Sequence, residues 1–288
     1  MVADATALRR KCALERTLFY TAGPAILILA FPGILLYYDT RVKKGVNTMK
    51  KTVLHTFLGV LFAFCLMITL LITSVEAVCY WTPGYFEKEY TKYNVLNDLP
   101  EMTMDDLLNV TDQMMDYLRG DREDLHVWTT MGGEYREFFT EREIAHMEDV
   151  RGLFLGAMAL RRICLAVIIL SLVLICATKG KLKKVLPPAV FGGTLLFFAA
   201  AALIGLIVST DFNRYFIIFH HIFFNNDLWI LDPAVDMLIN IVPEPFFMDT
   251  AARILLTYGV CTLAVLALSF FFMMKNQKAS AAQKDRFK

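Results

Sequence analysis

The sequence predicts an all-α fold: a polytopic membrane helix bundle of four core spans, with an added N-terminal apolar segment and a helical extracellular cap. The first observation is composition, because 57% of the 288 residues are apolar and only 20% are charged, as is typical of integral membrane proteins. The second is a set of apolar stretches that approach the roughly 20 residues needed to cross a bilayer. The third is a segregation of acidic and basic residues along the chain.

Charge segregation assigns the connections between the spans to opposite sides of the membrane. Segment 76–150 holds 18 acidic against 6 basic residues, and segment 210–249 holds 6 acidic against 1 basic residue. The other connections are basic, including the lysine-rich loop 179–184 and the C-terminal tail. Since basic loops stay in the cytoplasm, both acidic segments are expected outside. The predicted localisation is therefore the cell membrane, multi-pass, with the cap on the extracellular side.

The first apolar stretch, Leu18 to Tyr38, allows two interpretations. Basic residues flank it on both sides, and Pro24 and Pro32 interrupt it. A fifth span and a bent re-entrant or interfacial hairpin therefore both stay open.

The order of segments follows from these stretches. The third apolar stretch is long enough only if it starts near Leu153, which puts Arg161 and Arg162 inside it, with side chains that point back toward the headgroups. The predicted division is an N-terminal apolar segment (1–51), a first core span (52–75), the extracellular cap (76–150), two spans joined by a basic cytoplasmic loop (151–208), a second extracellular or interfacial insertion (209–250), a last span (251–275) and a cytoplasmic tail (276–288), predicted to be disordered.

The cap carries clear helix signals. In "TMDDLLNVTDQMMDYLRG", Thr103 is a suitable N-cap and Gly120 a suitable end. The stretch "EYREFFTEREIAHMEDVRGLF" has apolar residues at helical spacing and no breaker before the third span. One long helix is therefore expected to link the cap to the membrane.

The second insertion has too few polar residues for a solvated loop. "NRYFIIFHHIFF" is typical of an element that lies in the outer interface. "DPAVDMLINIVP" then predicts a short helix that Asp232 caps and Pro243 ends, and the last helix is expected to begin near Asp249.

Histidines are the candidates for chemistry, since imidazole titrates near neutral pH. His146 lies three residues after Glu143 and three before Asp149, so one helical face carries all three. His220 and His221 lie in the aromatic interfacial segment. Each could be a purely structural residue, but ionisable groups near a bilayer are costly to hold and often functional. The remaining histidines, His55 and His126, are interpreted as structural.

Two motifs together resemble a known family. "EREIAHMEDVRGLF" before one span and "FHHIFFNNDLWILDPAVDMLINIVPEPFF" before the last span are similar to the lipoprotein intramolecular transacylase family, multi-span bacterial enzymes with an extracellular cap. The likeness covers residues 52–275. The family's two histidines map to His146, in E-x-x-H-M-x-D-V, and to His220, in F-H-x-I-F-F, with His221 at the variable position as the alternative.

The resemblance implies an acyl transfer that needs no cofactor. The sn-2 acyl chain of a diacylglyceryl-cysteine would move onto the α-amine of the same cysteine, giving an N-acyl lyso-form lipoprotein. One histidine would act as the base and the other as a donor to the carbonyl oxygen, in an order that the residues leave open. Asp149 or Glu143 could fix an imidazole tautomer.

The resemblance also implies a partly dry pocket and its ligands. Its expected walls are aromatic: Phe219, Phe223, Phe224, Trp229, Tyr80 and Trp81. Its expected polar anchors are Asn226, Asp227 and Arg214. The expected partners are diacylated bacterial lipoproteins and membrane lipids, with no nucleic acid.

Three other interpretations compete with this one. Two histidines near carboxylates could form a metal site of a membrane hydrolase or other lipid enzyme, although H-E-x-x-H is absent from the sequence. The acidic cap could instead bind a protein partner in a non-enzymatic membrane scaffold. The aromatic residues could form an interfacial belt without a pocket.

Overall fold

The structure is a computed structural model that describes residues 32–99 and 102–285, with side chains from residue 49 onward. The chain divides into two compact units, residues 1–54 and 55–288. Of the first apolar stretch, residues 18–31 lie outside the described residues, so the choice between a span and a hairpin stays open. All of the side-chain contacts that follow belong to the second unit.

Helices dominate the described residues, which confirms the predicted helical membrane fold. The elements in chain order are α1 (Pro32–Cys79), α2 (Tyr85–Lys92), α3 (Met104–Arg119), β1 (Trp128–Met131), β2 (Glu134–Glu137), α4 (Glu141–Ala177), α5 (Leu182–Val208), α6 (Phe212–Phe223), α7 (Leu238–Ile241) and α8 (Glu244–Asp285).

Four helices are long and apolar enough to cross a membrane, as the sequence predicts. They cover Met49–Cys79, Glu141–Ala177, Leu182–Val208 and Glu244–Gln283. Small residues let α1 and α5 approach closely, since a Cβ added at Gly193 would lie 2.8 Å from the Cβ of Ala63. The backbones of α1 and α5 therefore come close at this point, and many large apolar side chains of the spans are exposed.

Helix α4 links the cap to the membrane without interruption, as expected. It starts with a capping box, in which the Thr140 hydroxyl accepts from the Glu143 N–H and the Glu143 carboxylate accepts from the Thr140 N–H. Its 37 residues extend roughly 55 Å, against roughly 30 Å for the hydrocarbon core of a bilayer. The first turns of α4 therefore project beyond the bilayer. Within α4, Arg161 pairs with Glu76, which lies near the cap end of α1, at 2.9 Å.

The cap, residues 80–99 and 102–140, shares one apolar core with α7 and the start of α8, through Leu238, Ile241 and Phe246. Thr103 caps α3 by accepting from the Asp106 N–H, and Gly120 ends α3 at a φ of 88°, both as predicted. The antiparallel β1–β2 hairpin is an addition that the helical signals did not indicate. Gly132 and Gly133 form its turn with positive φ, which glycine adopts without steric cost. The core of the cap includes Tyr90, Val95, Leu107, Val110, Leu125, Val127 and Phe138.

The second insertion departs from its predicted helix boundaries. A turn replaces the start of the helix expected at Asp232, because the Asp236 side chain accepts from the Asp232 N–H at 2.7 Å, and α7 begins only at Leu238. Helix α8 begins at Glu244, not near Asp249, since proline is tolerated in a first helical turn. The tail expected to be disordered continues α8 as far as Asp285.

Candidate active site

Two histidines from separate elements meet where the cap joins the bundle. His146 lies in the second turn of α4, and His220 lies near the end of α6. Their ring centroids are 6.1 Å apart, with the ring planes tilted by 34°. The two residues are only 7% and 6% exposed. The fold thus brings together the two residues that the sequence motifs selected.

Aromatic rings surround the histidine pair. Phe224 contacts both imidazoles, at 5.3 Å from His146 and 5.5 Å from His220. The Trp229 ring lies 4.7 Å from His220, with the ring planes tilted by 32°, and the Phe219 ring stands edge-on at 5.5 Å. Phe216, which the sequence analysis missed, is the nearest ring at 4.2 Å. Its position one helical turn before His220 was the available signal.

The ring nitrogens of the two histidines have different environments. His220 Nδ1 donates to the carbonyl oxygen of Phe216 at 2.7 Å, so its Nε2 carries the lone pair in the neutral ring. His146 Nδ1 is buried and has no hydrogen-bond partner among the described residues, and the same is true of Trp229 Nε1. In the described part of the chain, the Nε2 atoms of His146 and His220 have no hydrogen-bond partner and are not fully buried. They are therefore the imidazole atoms that a substrate can meet.

Burial controls the charge of His220. It lowers the pKa of His220 below the ordinary value near 6.5, with a further lowering from His221 and a partial opposition from the hydrogen bond to Phe216. The ring is therefore neutral at pH 7. A neutral imidazole can accept a proton, whereas a charged one cannot.

Polar contacts hold the loop after α6 against α4. Asn226 donates through Nδ2 to the Asp149 carboxylate at 2.8 Å. The Arg142 guanidinium donates to the carbonyl oxygen of Asp227 at 2.5 Å. Arg142 was also missed in the sequence analysis, because a bond to a backbone carbonyl has no sequence signal. The Asn226–Asp149 bond therefore ties the loop that follows Phe224 to α4, and the Phe224 ring lies beside both imidazoles.

Glu143 holds α7 to the start of α4. Its fully buried carboxylate accepts from the backbone N–H of Thr140 at 2.6 Å and from the N–H of Leu238. Thr140 in turn donates to the Asp236 carboxylate at 2.9 Å. Neither imidazole bonds to Glu143 in the described part of the chain. Its contacts support a positioning role for the whole helix in place of the tautomer role that the sequence suggested.

Several predicted residues lie apart from the pair. Arg214 is exposed near the start of α6, and its backbone N–H bonds to Asp211. Tyr80 donates to the Met115 carbonyl inside the cap, and Trp81 is 60% exposed. Phe223 is 51% exposed, and Asp227 is exposed apart from its carbonyl contact.

The other histidines have separate contacts. His221 is exposed and touches only the Trp229 ring among the described aromatic contacts, edge-on at 5.3 Å. His55 bonds to Thr178 at 2.8 Å, and His126 bonds to Glu137 at 2.5 Å. Within residues 32–99 and 102–285, no group of three or more His, Cys, Asp or Glu side chains is arranged to hold a metal ion.

A protein-family comparison agrees with this arrangement. The family model described as "Lipoprotein intramolecular transacylase Lit" matches residues 60–247, which include both histidines and the contacts between them. The chain belongs to the lipoprotein intramolecular transacylase family. A search of curated proteins gives no match.

Solved structures of this family share the fold. The in meso structure of the membrane-integral lipoprotein intramolecular transacylase Lit from Bacillus cereus is 20% identical, covers 78% of this chain and 98% of its own, and superposes with a TM-score of 0.63. A variant of that protein with a histidine replaced by arginine gives 18% identity, 82% and 99% coverage and a TM-score of 0.65. The chain is thus a multi-pass membrane protein with the transacylase fold.

Proposed function

We propose that this member of the transacylase family moves the sn-2 acyl chain of a diacylglyceryl-cysteine onto the α-amine of the same cysteine. The product is an N-acyl, S-monoacylglyceryl lipoprotein. The single observation that supports this most is the pairing of two buried imidazoles, 6.1 Å apart, at the junction of cap and bundle. The expected substrates are diacylated bacterial lipoproteins, held with the cap on the extracellular side.

His220 is the proposed base. Its Nδ1–H bonds to the Phe216 carbonyl, so the Nε2 lone pair is available, and its lowered pKa keeps it neutral. Nε2 takes a proton from the α-ammonium group, whose ordinary pKa is near 8, and frees the amine lone pair. The nitrogen then attacks the ester carbonyl carbon.

His146 is the proposed donor to the carbonyl oxygen. Its buried Nδ1 has no hydrogen-bond partner among the described residues, and a protein interior tolerates an unpaired acceptor better than an unpaired N–H. The ring therefore carries its proton on Nε2, the atom that faces the substrate. From there it stabilises the negative charge that develops on the oxygen in the transition state.

The step closes with all atoms accounted for. The new C–N amide bond forms and the ester C–O bond breaks. The first proton that His220 takes from the α-ammonium passes to the departing glyceryl oxygen. The second proton, which the nitrogen loses as the amide forms, returns to Nε2 of His220 and is released to solvent. No serine, cysteine or threonine nucleophile is needed, because the acyl donor and the amine belong to one molecule.

Substrate folding contributes more than the base. Orientation of two reacting groups supplies up to roughly 7 to 11 kcal/mol, whereas a general base supplies roughly 10²- to 10⁴-fold in rate. The aromatic residues around the histidines suit this orienting task. In this proposal Phe219, Phe224 and Trp229 form the walls of the substrate pocket. The Asp149–Asn226 bond and Glu143 position the elements that carry these walls. Arg214 and Asp227 contact the polar headgroup.

Acyl migration within a defined lipopeptide tests the proposal. Purified protein in detergent is incubated with a synthetic diacylated lipopeptide, and tandem mass spectrometry locates the acyl chain, since migration leaves the mass unchanged. Wild type is expected to move the chain, whereas His146→Ala and His220→Ala do not. His221→Ala and His55→Ala serve as matched controls and are expected to retain migration. Full turnover by His146→Ala, or none by folded wild type, would overturn the proposal.

A further inference from the structure

Helix α6 presents three distinct faces. One face packs against the protein through Phe216 and His220. A second is exposed and carries the polar residues Asn213, Arg214 and His221, with Ile217 among them. At 100° per residue, the third face carries Ile218, Phe219 and Ile222, and Phe223 lies at its border with the packed face; these four large apolar side chains are 40% to 70% exposed.

The apolar face of α6 is continuous with a membrane-facing surface. The last turns of the span α5 expose Leu203, Ile204 and Leu206 by 58% or more, and α6 begins four residues after α5 ends. Four exposed apolar side chains on one short helix are costly in water. Lipid is the occupant that fits, because the neighbouring surface is already that of a span.

Helix α6 does not cross the bilayer. Its 12 residues extend roughly 18 Å, less than the roughly 30 Å of a hydrocarbon core. A polar face opposite an apolar face is typical of helices that lie in the plane of the interface. The apolar face therefore lies in the leaflet on the cap side.

We infer that this face is the surface along which an acyl chain of the lipid substrate reaches the histidines. The Phe219 ring contacts His220 at 5.5 Å and the Phe223 ring at 4.6 Å. A hydrocarbon chain on Ile222 and Phe223 is thus separated from the imidazole by one aromatic ring. The inference rests on the proposed function and adds the route of the acyl chain: laterally from the leaflet, over α6.

Photolabelling of the wild-type protein tests the route directly. A dipalmitoyl lipopeptide with a diazirine in its sn-2 chain is irradiated with the protein in lipid nanodiscs, and adducts are mapped by mass spectrometry. The expected adducts lie within 212–223, and an excess of unlabelled lipopeptide removes them. Adducts confined to α1, α5 or α8 would overturn the inference. Because the readout does not require turnover, it stands apart from the migration assay.

Chain-length selectivity gives a second test. Ile222→Asn is compared with Leu196→Asn, a control on α5 with a similar exposure of 68% against 70%. For Ile222→Asn, the ratio of kcat/KM for a dipalmitoyl lipopeptide to that for a dihexanoyl lipopeptide is expected to fall about tenfold, since an apolar side chain no longer contacts the long chain. The ratio should stay at the wild-type value for Leu196→Asn. An equal fall in both variants would overturn the inference, and so would no fall in Ile222→Asn.

Discussion

The two halves of the candidate site are built by different kinds of interaction. The α4 half is held by hydrogen bonds: Glu143 closes a capping box and binds the Leu238 N–H, and Asp149 accepts from Asn226. The α6 half is held by rings, with Phe216, Phe219 and Trp229 around His220 and one backbone hydrogen bond.

The two halves should therefore respond differently to substitution. Hydrogen bonds depend on direction, so the α4 half should respond sharply to the loss of one acceptor. Ring packing is less directional and tolerates changes of similar volume. We therefore expect the α4 half to be the more rigid of the two and the α6 half, which faces lipid in our inference, to tolerate more substitutions.

The largest effect is expected from the histidine on the α6 half. His220→Gln keeps a polar side chain but removes the base, so kcat for acyl migration should fall about 10²- to 10⁴-fold. The change in rate is measured by mass spectrometry under saturating lipopeptide. His221→Gln, one residue away and exposed, is the control and should stay within about twofold of wild type. Equal losses in both variants would remove the distinction between the two residues.

A loss of stability is expected on the α4 half. Glu143→Ala leaves the Thr140 and Leu238 N–H groups without their acceptor, so the free energy of unfolding should fall by about 2 to 4 kcal/mol. Unfolding in mixed micelles measures the change. Glu141→Ala, an exposed residue of the same turn, should change it by less than about 0.5 kcal/mol. If the two variants were equally stable, hydrogen bonds would not hold this half.

A smaller effect is expected where the two halves are joined. Asn226→Ala removes the bond to Asp149 that ties the loop after Phe224 to α4, so kcat should fall about tenfold, the ratio that corresponds to about 1.4 kcal/mol. Its neighbour Asn225 is exposed and provides the matched control. A fall for Asn225→Ala as large as that for Asn226→Ala would show that the bond has no specific role.

The smallest effect concerns pH. Burial lowers the pKa of His220, and protonation abolishes its function as a base, so the rate should stay constant as pH falls to 6.5 and decrease only below that value. Below pH 6.5 the α-ammonium of the bound substrate stays protonated, so the His220 imidazole is the group whose protonation changes the rate. Initial rates from pH 5 to 8 measure the profile. A rate that is already halved near pH 7 would contradict the proposed base.

Much of the architecture follows from local features of the sequence. Apolar length and charge segregation predicted four spans, which the structure contains, and Thr103 and Gly120 marked the ends of α3. The predicted helix boundaries near prolines were wrong: α7 starts later than predicted and α8 earlier. Proline excludes a continuing helix but does not specify where the next one begins, because tertiary hydrogen bonds such as that of Glu143 to Leu238 select the start.

The two histidines that carry the family motifs could be identified from the amino-acid sequence, because motif and spacing are local properties of the chain. The bond of Asp149 to Asn226, the bond of Glu143 to α7 and the presence of Phe216 and Arg142 at the site follow only from the packing of the helices. This packing also decided which nitrogen of each imidazole stays open. A hydrogen bond is directional over about 3 Å, and residues far apart in sequence can satisfy it only after the helices have packed.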